Sequence, residues 1–203
     1  MARSSAPGAP APRPPGGPVL QDSVTAAISQ AFFEELAAAG YAKLSLEAVA
    51  RRAGAGKAAI YRRWSSKQEM ALALIAEIVA TLPEPPDTGT VRGDLLGFLA
   101  ETAEVLRHPL ASKIVPDLLA EAHRTPELGQ AMLAVVRDPR RARATRMLRR
   151  AVDRGELPPD LDLAVALDLL VGPLYWHLAV VNGAAGPAYL ERLTDMLLAA
   201  LRA

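Results

Sequence analysis

Residues Ser45–Lys67, SLEAVARRAGAGKAAIYRRWSSK, decide how the rest of the chain is read. The run from Leu46 and the run Lys57–Trp64 each have the makings of a short helix, and Gly54-Ala55-Gly56 breaks them apart. That is the outline of a helix-turn-helix. Ser45 stands where its hydroxyl accepts from the amide two or three residues on, capping the first helix, and Gly54 tolerates the φ > 0 that ends it. Isolated helices below about 12 residues are marginal in water, so the second helix must be held by its neighbours. Ile60 and Trp64, spaced i and i+4, supply an anchoring face, while Lys57, Tyr61, Arg62 and Arg63 point elsewhere.

Working outward, Asp22 or Ser23 can cap a preceding helix that runs to Ala39, with Val24, Ile28, Ala31, Phe32 and Leu36 as its apolar stripe and Gly40 as its stop. On the other side, Ser65-Ser66 offers an N-cap for a helix Lys67–Leu82 with Met70, Leu74, Ile75 and Ile78 on one side. Pro83, Pro85 and Pro86 end it in an acidic, Pro-rich linker. Residues 1–20, with six prolines among Ala, Gly and Ser, are expected to form a disordered arm, since such a composition buries too little apolar area to offset its ordering entropy. Arg3 and Arg13 lie in that arm.

The remainder reads as helical throughout: 91–107, 110–123, 126–154, 161–182 and 187–202. The fold class is therefore all-α, with about nine helices: an N-terminal helix-turn-helix domain of three or four helices over 21–82 and a C-terminal helical domain over 88–203. Leu167, Leu170, Val171, Leu174 and Leu178 share a face of the penultimate helix, and Leu190, Leu193, Met196, Leu197 and Leu201 a face of the last. Such a hairpin suits either a two-fold symmetric four-helix bundle with a second copy or a seam inside one chain. Gly172-Pro173 predicts a kink in that hairpin's first helix.

The net charge of +1 conceals a strong asymmetry. Between Tyr41 and Glu69 seven bases (Lys43, Arg51, Arg52, Lys57, Arg62, Arg63, Lys67) face two acids (Glu47, Glu69), a local +5. Most of the later chain is acidic, so the basic charge sits where a phosphate backbone would be met. The exception is 137–154, where eight arginines against Asp138 and Asp153 give +6. That helix reads as a solvated face pairing with acidic neighbours, or else as a site for an anionic ligand. The chain has no cysteine, which excludes disulfide scaffolds, thiolate zinc sites and cysteine nucleophiles. No uncharged apolar run of about 18 residues suggests a membrane span, so a cytoplasmic protein is expected.

These residues resemble the TetR-type transcriptional repressors. The resemblance rests on Gly40-Tyr41, Leu44-Ser45-Leu46-Glu47-Ala48-Val49-Ala50, Ala53-Gly54-Ala55, Lys57, Ile60-Tyr61-Arg62, Trp64 and Ser66-Lys67, and on Gly172-Pro173-Leu174-Tyr175 further on. It implies a homodimer that binds a palindromic double-stranded DNA operator and releases it when a small-molecule effector enters the C-terminal domain. It also implies that Ser45, Lys57, Ala58, Tyr61, Arg62, Arg63 and Lys67 match DNA-contacting positions. Gly56 and Ala59 depart from the family pattern, where Ser or Thr is common, so sequence preference is not readable from these side chains.

For the effector, Phe98, Leu106, Met132, Met147, Tyr175, Trp176 and His177 are the candidate lining residues, each with plain core packing as its alternative. Glu101, Glu104 and His108 share a helix face, but nothing completes a metal site, and no cofactor is expected. No catalytic set or Gly-rich phosphate loop is present in the sequence, so an enzyme is not expected. The rival to a DNA-binding regulator is an all-helical protein-interaction module with a degenerate helix-turn-helix.

Overall fold

The structure, a computed structural model, describes residues 18–203, with side chains from Ser23 onward. Its helices are α1 (Pro18–Ala39), α2 (Leu46–Arg52), α3 (Lys57–Tyr61), α4 (Lys67–Ala80), α5 (Val91–Arg107), α6 (Ala111–Arg124), α7 (Pro126–Met132), α8 (Asp138–Asp153), α9 (Leu163–Tyr175) and α10 (Pro187–Leu201). A π-helical turn, Leu133–Arg137, joins α7 to α8 without a break, and another, Trp176–Val180, extends α9. Counting each continuous run once, the described residues form nine helices and no strand.

Three expectations shift at the helix ends. α1 starts at Pro18, not at an Asp22 or Ser23 cap, because proline's fixed φ suits a first helical turn. The arm expected over 1–20 thus lies outside the described residues up to 17, along with Arg3 and Arg13, and its last three residues are helical. The second motif helix ends at Tyr61, with Arg62 as its C-cap, so Arg63 and Trp64 lie in the turn beyond it. Gly172-Pro173 does not interrupt α9; the wider turn Trp176–Val180 follows it instead.

Ile28, Phe32 and Leu36 of α1, Val49 of α2, Ile60 of α3 and Met70 and Leu74 of α4 close one core with Tyr41, Leu44 and Trp64. Val24 and Ile78, expected on these stripes, are exposed. Ile114 and Leu118 of α6 and Leu128 of α7 belong to the same core, so the second half of the chain completes the packing of the first. Two further clusters bring α5 together with α8, α9 and α10: one holds Val91, Leu95, Phe98, Met147, Leu148 and Leu170, the other Leu99, Leu174, Leu190 and Leu197.

The Pro-rich linker is fastened rather than loose. Arg146 pairs with Glu84 at 2.8 Å. Arg150 donates to the Pro86 carbonyl at 2.6 Å, and Pro85 is buried. Beyond it, Asp94 is fully buried and accepts from the Thr88 amide (2.6 Å), the Thr88 hydroxyl (2.8 Å) and Arg154 (3.0 Å). Burial raises the Asp94 pKa, but the Thr88 donors and Arg154 outweigh it and hold the carboxyl below its ordinary 3.8. The basic helix thus explains itself largely as a clamp on the linker.

Replacing Asp94 strands the Thr88 amide and removes the buried partner of Arg154, so Asp94→Ala is expected to cost about 3 kcal/mol. By calorimetry at neutral pH that is a fall in Tm of about 6–12 °C. Because the folded-state pKa is depressed, the carboxylate's contribution is present above the unfolded pKa and lost as pH falls through the folded one. The gap between parent and variant should therefore narrow below about pH 4.

Candidate nucleic-acid interface

The helix-turn-helix has side-chain caps at the starts of α2 and α4, whereas α3 starts at Gly56 without one. The Ser45 hydroxyl accepts from the Ala48 amide at 3.3 Å and starts α2. At its end the Ala55 amide bonds the Ala50 carbonyl (3.0 Å) and the Gly54 amide the Arg51 carbonyl (3.3 Å), with Gly54 at φ +63°, which is a Schellman closure. α4 opens with Ser66 accepting from the Glu69 amide (3.1 Å), while Glu69 accepts from the Ser65 amide (2.7 Å). This is a capping box shifted by one residue.

Five-residue α3 is fixed by Ile60, fully buried, and by Trp64 just beyond its end. Its other side shows Lys57, Ala58, Tyr61 and Arg62 to solvent, with Tyr61 45% exposed. Ser45 lies close by, half-buried. Of the candidate DNA contacts, Ser45 and Lys57 meet at Glu47, Lys57 lies 5.7 Å from the centre of the Tyr61 ring, and Ala58 and Arg62 are exposed, but they are not equally available. The Ser45 hydroxyl donates to Glu47 at 3.0 Å, and Lys57 pairs with the same carboxylate at 2.5 Å. That hydrogen bond from Lys57, with help from Ser45, holds the Glu47 pKa down to about 2 and raises that of Lys57. Arg63 is half-buried and donates to the Ala59 carbonyl at 3.1 Å.

Lys67 lies farther from solvent than a plain phosphate clamp requires. Its ammonium donates to the carbonyls of Tyr41 (2.8 Å) and Ala42 (3.2 Å) and sits 4.6 Å from the centre of the Tyr41 ring. The Tyr41 amide in turn donates to Asp117 of α6 at 2.7 Å. Gly40, at φ +76°, lets the chain pass this carboxylate, since a β-carbon there would come within 2.9 Å of it. Sequence periodicity gave no sign of Asp117, because its partner lies 76 residues away. Arg52 stays exposed and pairs with Glu34 and Glu35 of α1.

The residues expected to line an effector pocket do not converge. Leu106 and Tyr175 line a cavity of about 70 Å³ with Ser112, Pro116, Leu178 and Asn182. Phe98 and Met147 are buried in the α5–α8 core, and Met132 packs against the N-terminal core. Trp176 is 61% exposed, and His177 stacks on Tyr189 with ring centres 4.0 Å apart. Helical spacing put them on inward faces, but the core is shared among three clusters. Among the described residues no group of three His, Asp or Glu is placed to hold a metal ion.

The expected dimer face divides in the same way. Leu170, Leu174, Leu190, Leu197 and Leu201 are buried within one chain, so their side chains are closed to a second copy. Leu167, Val171, Leu178 and Leu193 are half-buried, and Met196 is 72% exposed. The exposed apolar side of this hairpin carries Val165, Trp176, Val180 and Val181 together with Met196. Leu163–Val180, with mean hydropathy 1.7, is long and apolar enough by length and composition to cross a membrane, yet only 17% of it is buried in the chain.

Residues 28–74 match the family described as bacterial regulatory proteins, tetR family, and residues 85–197 match the tetracyclin repressor-like C-terminal domain. The chain belongs to the TetR family. It is 36% identical over 158 residues to an uncharacterised HTH-type transcriptional regulator of Mycobacterium tuberculosis, covering 77% of this chain and 76% of that one. A DNA-binding transcriptional repressor TetR of Mycobacteroides abscessus is 34% identical over 166 residues, covering 80% and 85%. A crystal structure of the TetR family transcription regulator SCO0332 superposes with a TM-score of 0.68 at 33% identity, covering 87% and 97%. The protein is a DNA-binding transcriptional regulator, and its helix-turn-helix lies inside the first matched stretch.

The Asp117 tie should be measurable. Asp117→Ala leaves the Tyr41 amide of this TetR-family chain without an acceptor, which is expected to cost about 1–3 kcal/mol. Hydrogen exchange at Tyr41 should speed up by more than at Ile60; equal change at both would mean that the tie is not local.

Proposed function

We propose that the protein is a homodimeric repressor that binds a palindromic operator through α3 and releases it when a small molecule binds the C-terminal half. The observation that carries this reading is the exposed face of α3, where Tyr61 and Arg62 stand on a helix pinned from behind by Ile60 and Trp64. Tyr61 offers a hydroxyl to a phosphate, and Arg62 has the reach for a guanine edge. Ala58 offers a methyl contact to thymine. Ser45 and Lys57 join after exchanging Glu47 for a phosphate, Arg63 acts from the turn, and Lys67 keeps a third ammonium hydrogen for the backbone. On this reading residues 21–82 form the DNA-binding domain and 88–203 the effector and dimer domain, and the protein works in the cytoplasm at the chromosome.

The dimer we infer forms through the outer side of α9 and α10, with Val165, Trp176, Val180 and Met196 at its centre. Their exposures of 55%, 61%, 48% and 72% support this, since large apolar side chains left in water on these two helices would be covered by a second body. A two-fold axis there has to set the α3 helices about 34–36 Å apart, one turn of DNA. An effector then acts by favouring a dimer with another spacing, and only as far as its affinities for the two states differ. α6 is the inferred transmitter: Ile114 and Leu118 lie in the N-terminal core and Asp117 holds the turn before α2.

A band-shift titration against the DNA beside the coding region, repeated over a range of salt, tests the regulator reading. Arg62→Ala should weaken binding by about 1–3 kcal/mol if it reads a base, and Tyr61→Phe should reduce it more evenly across sequences. Failure to bind any DNA would leave the protein-contact alternative. In sedimentation the parent should run at twice 21.5 kDa. Trp176→Glu with Met196→Glu should run as a monomer, and a parent monomer at micromolar concentration would overturn the α9–α10 interface.

A further inference from the structure

The eight arginines of 137–154 divide by what they face. Arg137, Arg141, Arg146, Arg150 and Arg154 each reach a carboxylate, and Arg149 is exposed. Arg140 and Arg143 differ. They stand i and i+3 on the first turns of α8, directly after the π turn Leu133–Arg137, so their side chains are neighbours. The Arg143 side chain is only 11% exposed, its one acidic contact is with Glu101 of α5 at 3.5 Å, and its Nε is buried with no acceptor. Arg140 is half-buried and forms no hydrogen bond or ion pair among the described residues. Burial, and then the neighbouring Arg143 guanidinium, lower its pKa.

A guanidinium withdrawn from water without an acceptor is costly, and a second one beside it adds repulsion. Arg150 also has a buried Nε without an acceptor, but its guanidinium meets the Pro86 carbonyl and Asp87. Of the half-buried arginines on this helix, Arg140 alone meets neither a carboxylate nor a carbonyl, which calls for a partner from outside the chain. Two guanidiniums and Glu101 sum to +1, which one negative group would neutralise. The planar fork of arginine matches the paired oxygens of a carboxylate or phosphate. One turn further along the same seam, Phe98 of α5 and Met147 of α8 are closed in a shared apolar cluster.

We propose that Arg140 and Arg143, at the seam of α8 with α5, form a recognition site for an oxyanion, the carboxylate or phosphate group of the small-molecule effector. The site rests on the effector-responsive reading above and deepens it by naming the chemistry of the ligand.

The test uses the full chain in thermal unfolding at constant ionic strength, with chloride replaced stepwise by inorganic phosphate or by octanoate. A saturating rise in Tm of about 5–10 °C at a hundredfold excess over Kd is expected with the probe that fits. Octanoate alone acting assigns a carboxylate, phosphate alone a phosphate. In Arg140→Met the rise should vanish, while the Tm without probe stays equal to or above that of the parent, because a partnerless cation gives way to an apolar side chain of similar length. Arg143→Met should lose the rise too, and Arg146→Met, whose partner is Glu84, should keep it. No rise beyond chloride with either probe, or an undiminished rise in Arg140→Met, overturns the site. Because the readout is the free protein, that result leaves operator binding standing, and a failed band shift leaves this result standing.

Discussion

Five residues of helix have no stability of their own, so everything the helix-turn-helix can do depends on the burial of Ile60 and Trp64. Those two side chains are fully packed only because α1 lies behind them and because Ile114, Leu118 and Leu128 close the core from the second half of the chain. The exposed face of α3 is thus positioned by residues more than fifty places away in sequence. The same arrangement makes the orientation of α3 sensitive to α6, because Asp117 holds the Tyr41 amide and Tyr41 in turn receives Lys67 from the start of α4. A displacement of α6 cannot leave that chain of contacts unchanged.

Charge plays two separate parts in this protein. Around α3 it is left open to solvent, with Arg62 exposed and Lys57 held by a single exposed carboxylate that a phosphate can replace. Surface pairs of this kind contribute little to stability and exchange partners readily. On α8 the arginines are instead spent on architecture, fastening the linker through Glu84, Asp87 and the Pro86 carbonyl and meeting the buried Asp94. Arg140 and Arg143 take no part in that clamp: Arg143 reaches Glu101 of α5 at 3.5 Å, and Arg140 meets no acid among the described residues.

Much of this was legible locally. Ser45, Gly54 and Ser66 mark helix ends because a hydroxyl cap or a left-handed residue acts within three positions of itself, and all three act as read. The spacing of Ile60 and Trp64 identified the buried side of α3 for the same reason. The sensor half was less legible. Leu174 and Met196 both fall on apolar stripes, yet one is fully buried in its own chain and the other is 72% exposed. Periodicity reports that a helix has an apolar face; it does not report which of several neighbours covers it, or whether any does.

By itself the sequence determined the all-helical class, the helix-turn-helix with its caps and its basic surround, and the family, since each depends on contacts between residues a few places apart. Only the tertiary structure decided that the linker is clamped, that Lys67 turns inward to Tyr41, that the effector candidates scatter among three clusters, and that Arg140 is left without an acid. Those outcomes depend on pairings such as Tyr41 with Asp117 and Arg143 with Glu101, 76 and 42 residues apart, and no local pattern encodes which distant group a side chain will meet.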